Sequence, residues 1–187
     1  MYETSEIKNG LKIEMDDHPY TVTYFQFVKP GKGTAFTRTK LKSLLNGNVL
    51  DRTFRTGEKL VEADIEEKSM QYLYDDGTGK VFMDNEDYDQ ITIETKVLGD
   101  TAKWLVEEMS CNVLFWRGSP INVDLPNFVV MEIVYCEPGV KGNTATGAVK
   151  SAELTSGATV NVPLFVEQGE NIKIDTRTGS YVERVRN

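Results

Sequence analysis

The feature that most restricts the fold of this chain is a pair of strand-like segments, residues 20–28 and 34–41, on either side of Lys29-Pro30-Gly31-Lys32-Gly33. Both segments are rich in β-branched and aromatic residues and partly alternate in polarity, as strands do. A Pro-Gly pair favours a tight turn, because proline presets φ at one central position and glycine accepts a positive φ at the next. The pattern predicts a β-hairpin with Lys32 at its tip, where two glycines allow close approach of a partner.

Short strand-like segments separated by turn residues continue along the rest of the chain. They predict an all-β protein of three consecutive small β-barrels, with domains at residues 1–64, 65–128 and 129–187. The one clear helical pattern covers residues 100–109, where Asp100 suits an N-cap and four apolar residues share a face. A short helix between the third and fourth of five strands is typical of an OB-fold.

Charge is distributed unevenly along the chain. The formal net charge is −8, and residues 65–128 carry a net charge of −8 by themselves, against +1 for residues 1–64 and −1 for residues 129–187. Residues 18–50 contain no Asp or Glu but hold five cations: Lys29, Lys32, Arg38, Lys40 and Lys42. This distribution favours contact between the first domain and a polyanion such as RNA. Strand alternation predicts that Arg38, Lys40 and Lys42 share one face.

Signs of catalysis are weak. The single histidine, His18, is expected in a surface turn and cannot form a multi-histidine metal site. No phosphate-binding glycine motif or nucleophile motif is complete, so we expect neither an enzyme nor a bound metal. Cys111 and Cys136 match no paired-cysteine motif and are expected to be buried free thiols, which favours the cytoplasm. No apolar run is long enough for a membrane helix, and the first residues do not resemble a signal peptide.

Several segments resemble bacterial elongation factor P of the lysine type, whose first-domain loop reads Pro-Gly-Lys-Gly. The resemblance is strongest around Lys32 and recurs in order along the whole chain. The matching segments are residues 27–36, 40–47, 99–105, 126–129, 162–170 and 174–184, the last of which includes Tyr181 and Arg184.

The resemblance implies an N-terminal SH3/KOW-like barrel followed by two OB-folds in an elongated, tRNA-like L. It implies a monomer that binds both ribosomal subunits between the P and E sites and relieves stalling at consecutive prolines. Lys32, with Pro30, Gly31 and Gly33, would approach the CCA end of peptidyl-tRNA. A modifying enzyme would extend Lys32 covalently, and no other cofactor is implied.

The resemblance also implies a contact between the third domain and mRNA in the E site. The segment concerned is Gly142-Asn143-Thr144, in a glycine-rich loop that includes Gly147. Asn143 stands where the family has aspartate, but an amide can still accept a hydrogen bond and lacks a charge near phosphate.

Two other interpretations remain open from the residues. One is a related elongation-factor-P-like paralogue of less settled role, although the lysine-type tip favours the factor itself. A generic OB-fold RNA-binding module is the other alternative. Such modules place aromatic and basic residues together on one barrel face, whereas the middle domain has five basic residues against thirteen acidic ones.

Overall fold

Residues 1–139 and 147–186 are described by a computed structural model, and within these ranges β-strands predominate. In the part of the chain that is described, the strands form three sheets of six, five and five members, so the all-β prediction is confirmed. The chain divides into two compact units, Met1–Lys68 with Val113–Asn122, and Ser69–Asn112 with Val123–Asn187. The domain limits expected at residues 64 and 128 stay a prediction.

The first sheet contains the predicted hairpin and has the order β1-β6-β2-β3-β4-β5. Its strands are β1 (Tyr2–Glu3), β2 (Lys12–Met15), β3 (His18–Val28), β4 (Phe36–Ser43), β5 (Val49–Arg55) and β6 (Lys59–Glu62). A short 3-10 helix, Thr4–Glu6, follows β1.

Strands β3 and β4 pair antiparallel, beginning with Val28 opposite Phe36 at the loop end. The register shifts once, between Val22 and Tyr24, which marks a β-bulge. Leu41 is fully buried in the core of this sheet. The other buried members of that core are Ile7, Leu11, Ile13, Val22, Phe54 and Leu60. The hairpin is thus anchored in a core at its base, while its tip extends beyond that core.

The second sheet has the order β11-β10-β7-β8-β9. Its strands are β7 (Ile65–Asp75), β8 (Gly79–Asp84), β9 (Gln90–Glu94), β10 (Ser110–Trp116) and β11 (Ser119–Asp124). A one-turn helix, α1 (Thr95–Leu98), and a 3-10 helix, Gly99–Trp104, lie between the third and fourth of these strands. The predicted position of a short helical segment in a five-stranded unit is therefore confirmed.

The predicted extent of that helix, residues 100–109, is wrong. The 3-10 helix ends at Trp104, and Leu105 is already extended. The reason is pairing with β7: the Tyr72 N–H donates to the Met109 carbonyl, and the Glu108 N–H donates to the Tyr72 carbonyl, at 2.9 and 2.8 Å. The Glu108 N–H and the Met109 carbonyl therefore bond to a strand, and the Met109 N–H closes a single turn by donating to the Val106 carbonyl at 3.1 Å.

The third sheet has the order β14-β13-β12-β15-β16. Its strands are β12 (Phe128–Cys136), β13 (Val149–Leu154), β14 (Thr159–Pro163), β15 (Asn171–Asp175) and β16 (Ser180–Val185). Ile133, Ile172 and Ile174 are fully buried in its core, and Trp104 packs with them.

The two cysteines are buried free thiols, as expected. Burial raises the pKa of Cys111 to about 12, so this thiol stays protonated and unreactive near neutral pH. Cys111 and Cys136 therefore act as small apolar core residues.

Candidate nucleic-acid interface

Lys32 lies in the loop that joins β3 to β4 and is exposed together with Lys29, Gly31 and Gly33. Among the described residues, none forms an ion pair or hydrogen bond with the Lys32 side chain. The loop is fixed at its far end, where the Ala35 carbonyl accepts bonds from the backbone N–H and the hydroxyl of Thr56, at 3.1 and 2.9 Å. The arrangement presents one unpaired ammonium group at the end of an anchored hairpin.

The two loop glycines have different backbone roles. Gly33 adopts a φ of +107°, a region that other residues rarely enter, whereas Gly31 has no positive φ. The expectation that Gly31 supplies the positive φ of a Pro-Gly turn is therefore wrong, since Gly33 has the positive φ instead. A Cβ built on Gly31 would meet nothing within 4 Å. The conformation and packing of the free protein do not require glycine at position 31.

The basic residues of β4 lie on one face, as the alternation predicted. Arg38, Lys40 and Lys42 are exposed, while the residues between and beside them, Thr37, Thr39, Leu41 and Ser43, are buried. Strand alternation sends every second side chain to the same surface. This outward surface begins beside the Lys32 loop and follows β4 towards the base of the hairpin.

The three cations have different partners. Lys40 forms an ion pair of 3.4 Å with Asp51 on the neighbouring β5, and both side chains are largely exposed. The Arg38 guanidinium lies 5.5 Å from the centre of the Phe36 ring, within cation–π range. Lys42 has neither an ion pair nor a ring contact among the described residues. Exposed pairs of this kind are weak and solvent-screened, so all three charges remain available to a polyanion.

Four further residues share this surface and were not predicted: Tyr24, Gln26, Thr53 and Arg55. Tyr24 and Gln26 stand opposite Lys40 and Arg38 in the β3 register, and Thr53 and Arg55 stand opposite Arg38 and Phe36 in the β5 register. Two shallow hollows meet at Arg38 and Thr53, and Arg55 lines the one nearer the loop. We call the set Tyr24, Gln26, Phe36, Arg38, Lys40, Lys42, Thr53 and Arg55 the basic face.

Aromatic side chains are also exposed on the opposite surface of the hairpin. Phe25 and Phe27 are 41% and 61% exposed, although they stand opposite Thr39 and Thr37, which are buried. This surface of the hairpin thus exposes two apolar rings to solvent near the loop.

The predicted site residues of the third domain are not part of the basic face. Gly142, Asn143 and Thr144 lie outside the described residues, and Gly147, at the edge of that gap, is exposed with a φ of +87°. Tyr181 packs against the core of the third sheet. Arg184 donates to Glu170 at 3.0 Å and lies 4.9 Å from the centre of the Phe165 ring. The contacts of Tyr181 and Arg184 are those of structural residues.

His18 is not in a turn, contrary to expectation. It is the first residue of β3, half-buried, with Nε2 at 2.8 Å from the Ser43 hydroxyl and its ring 5.0 Å from that of Tyr20. Pairing of β3 with β2 places His18 in a strand and not in a turn.

Within residues 1–139 and 147–186, no three acidic, cysteine or histidine side chains cluster as a metal site would require. No helix in those ranges has the length and apolar character needed to span a membrane.

The fold and the loop together define a class of protein: a β-protein of several small sheets that presents an exposed lysine beside a basic, aromatic surface. Three family models match consecutive parts of the chain. They are the elongation factor P KOW-like domain over residues 3–60, the elongation factor P OB domain over residues 65–123, and the elongation factor P C-terminal domain over residues 129–184. The chain belongs to the elongation factor P family.

Full-length relatives agree with this assignment. The chain is 53% identical over 185 residues to elongation factor P of Syntrophomonas wolfei subsp. wolfei, covering 99% of this chain and 100% of the relative. It is 51% identical over 184 residues to elongation factor P of Desulfitobacterium hafniense, covering 98% of this chain and 100% of the relative. The protein is therefore a translation elongation factor and not an enzyme.

A solved structure supports the fold. The structure described as eukaryotic translation initiation factor 5A from Methanococcus jannaschii superposes with a TM-score of 0.52 at 18% identity, covering 64% of this chain and 88% of that one. At this identity the likeness concerns the fold alone.

Proposed function

We propose that the protein binds the ribosome between the P and E sites and promotes peptide-bond formation at consecutive prolines. In this proposal Lys32 holds the CCA end of peptidyl-tRNA. The observation that carries the proposal is the exposed, unpaired Lys32 at the end of an anchored hairpin, next to the basic face. Membership of the elongation factor P family supports the same role.

Positioning is sufficient for such a role. Proline is a poor nucleophile because its ring restricts the approach of the amine, so a flexible peptidyl-tRNA end makes the reaction slow. Holding reactants in a productive geometry contributes up to about 7–11 kcal/mol in ideal cases. A long cationic side chain can hold the RNA end through phosphate and 2′-hydroxyl contacts, without proton transfer from the protein.

The basic face supports RNA binding by the hairpin. It combines Arg38, Lys40, Lys42 and Arg55 with Tyr24 and Phe36, and the neighbouring Asp51 is paired with Lys40. Phosphates attract the cations, and exposed rings stack on unpaired bases. An acid-free segment in an otherwise acidic protein would bring this surface towards RNA while the acidic middle segment is repelled from it.

The exposure of Lys32 also supports its covalent extension by a modifying enzyme. The ammonium group has no competing partner among the described residues, and the open space at Gly31 leaves the backbone accessible. An extended side chain would reach further along the CCA end while keeping a positive charge. Lys29 precedes the loop as a further exposed cation and would contact the same RNA.

The remaining parts of the proposal rest on family resemblance. The segment Gly142-Asn143-Thr144, with Gly147, would contact mRNA in the E site, and the protein would act in the cytoplasm as a monomer on both ribosomal subunits. Asn143 would accept a hydrogen bond in place of the family's aspartate.

Competition with E-site tRNA tests the proposed location. The protein is expected to bind ribosomes that hold peptidyl-tRNA in the P site and have a vacant E site, and to be displaced when deacylated tRNA occupies the E site. Binding is measured by co-sedimentation, with ribosomes carrying an occupied A site as the control. Undiminished binding to E-site-occupied ribosomes would place the protein elsewhere and contradict the proposal.

A further inference from the structure

Two tight hairpin turns meet through the guanidinium of Arg117. Residues 16 and 17 are the two residues between β2 and β3, and residues 117 and 118 are the two between β10 and β11. The φ values are +52° and +60° for Asp16 and Asp17, and +51° and +79° for Arg117 and Gly118. Two-residue turns with positive φ at both positions favour Asn, Asp or Gly, so arginine at position 117 is unusual.

The contacts of Arg117 account for its presence there. Its guanidinium forms an ion pair of 2.7 Å with Asp17 and a second, of 2.5 Å, with Glu14 of β2. Glu14 also accepts a hydrogen bond of 3.3 Å from the indole N–H of Trp116, and the guanidinium lies 4.7 Å from the centre of the Trp116 indole. The Glu14 side chain is only 15% exposed, so this pair is screened less than a surface ion pair.

A second connection joins the same two parts of the chain. Only Ala63 and Asp64 separate β6 from β7, and Ala63 is buried with its N–H donating to the Lys12 carbonyl at 3.2 Å. The Arg117 N–H donates to the Asp64 carbonyl at 3.1 Å. The two-residue connection and the ion-pair network thus give two separate points of attachment between the first sheet and the β10–β11 hairpin.

We propose that Arg117 is a positioning residue that holds the first sheet, and with it the Lys32 loop and the basic face, in a fixed orientation on the β10–β11 hairpin. This inference rests on the function proposed above, because orientation matters only if Lys32 must reach one place. Family membership alone does not imply it, since the network depends on particular side chains at positions 14, 17 and 117.

The test combines a structural and a functional measurement on the full-length protein. Residual dipolar couplings are measured for backbone amides of the first sheet and of residues 113–122. In the parent protein, one alignment tensor is expected to fit the couplings of the first sheet and those of residues 113–122 together. In Arg117→Ala, each set is expected to need its own tensor. The double variant Glu14→Gln with Asp17→Asn is expected to behave like Arg117→Ala, because it removes both negative charges and retains the shape of the side chains.

The functional arm measures synthesis of a Pro-Pro-Pro reporter as a function of factor concentration. Arg117→Ala is expected to lower the maximal rescue by about tenfold, since small misplacements of a positioned group cost one to two orders of magnitude in rate. Arg117→Lys, which retains the charge without the planar fork, is expected to recover part of the loss. Lys96→Ala, which removes an exposed ion pair with Glu94, is the control and is expected to match the parent.

Three results would overturn the inference. The first is that one alignment tensor still fits both sets of couplings in Arg117→Ala, and the second is that two tensors are needed but reporter synthesis stays at the parent level. The third is a fall in the melting temperature of Arg117→Ala large enough to explain the lost reporter synthesis. If the parent protein itself fails to rescue the reporter, the proposed function fails. The dipolar couplings then still decide whether Arg117 fixes the orientation.

Discussion

Replacing Lys32 by alanine is expected to reduce synthesis of a Pro-Pro-Pro reporter to the level seen without the factor. The Lys32 side chain makes no contact that the fold needs, so its removal deletes the group that would hold peptidyl-tRNA and little else. Surface substitutions of this kind usually change stability by no more than about 0.5 kcal/mol. Reporter synthesis in a factor-depleted extract and thermal unfolding of the same preparation are the two measurements.

The matched control is Lys8→Ala, which removes another exposed lysine from the first domain, away from the hairpin tip. It is expected to keep full activity. Full activity in Lys32→Ala would refute the role of the loop lysine, and a large fall in its melting temperature would show that Lys32 contributes to the fold instead.

Removing the three predicted cations of β4 is expected to weaken ribosome binding and its dependence on salt. Each lost phosphate contact reduces the slope of log affinity against log salt by about 0.7–0.9. The Arg38→Ala, Lys40→Ala, Lys42→Ala triple variant should therefore show a slope smaller by about two to three. Dissociation constants measured between 50 and 200 mM salt give that slope.

A variant of equal charge change provides the control. Lys59, Lys96 and Lys103 are exposed, each is paired with a neighbouring acidic side chain, and none lies on the basic face. Their triple alanine variant is expected to bind with almost the parent slope. Equal effects in the two variants would mean that net charge, and not the basic face, determines binding.

Local chemistry made the hairpin predictable from the sequence. The β-branched and aromatic residues of 20–28 and 34–41 predicted two strands, and alternation predicted that Arg38, Lys40 and Lys42 share a surface. Each of these features depends on residues close together in the chain. The same holds for the helical segment between the third and fourth strands of the second sheet.

Features that depend on distant partners were missed. Tyr24 and Arg55 belong to the basic face only because of the register of β3 and β5 with β4, and the bulge between Val22 and Tyr24 is part of that register. The helix predicted to reach Met109 ends early because residues 108 and 109 bond to Tyr72, far away in the sequence. Cross-strand register is set by tertiary packing, which a single sequence does not display.

The backbone conformation of the Lys32 loop was only partly predictable from the sequence. Proline and glycine at positions 30 and 31 suggested a standard turn, but Gly33 carries the positive φ. Several glycines within one short segment leave the position of the reversal open, because each can adopt that conformation. The RNA-binding role of the loop depends on a partner and stays a proposal.

The central claim, that this protein accelerates peptide-bond formation at consecutive prolines, is tested most directly by a rapid-quench measurement. Ribosomes carrying a peptidyl-tRNA that ends in proline react with prolyl-tRNA, with and without the protein, and a matched complex reacts with phenylalanyl-tRNA. We expect a clear increase in the rate of the proline reaction and no change in the phenylalanine reaction. Equal rates of the proline reaction with and without the protein would contradict it.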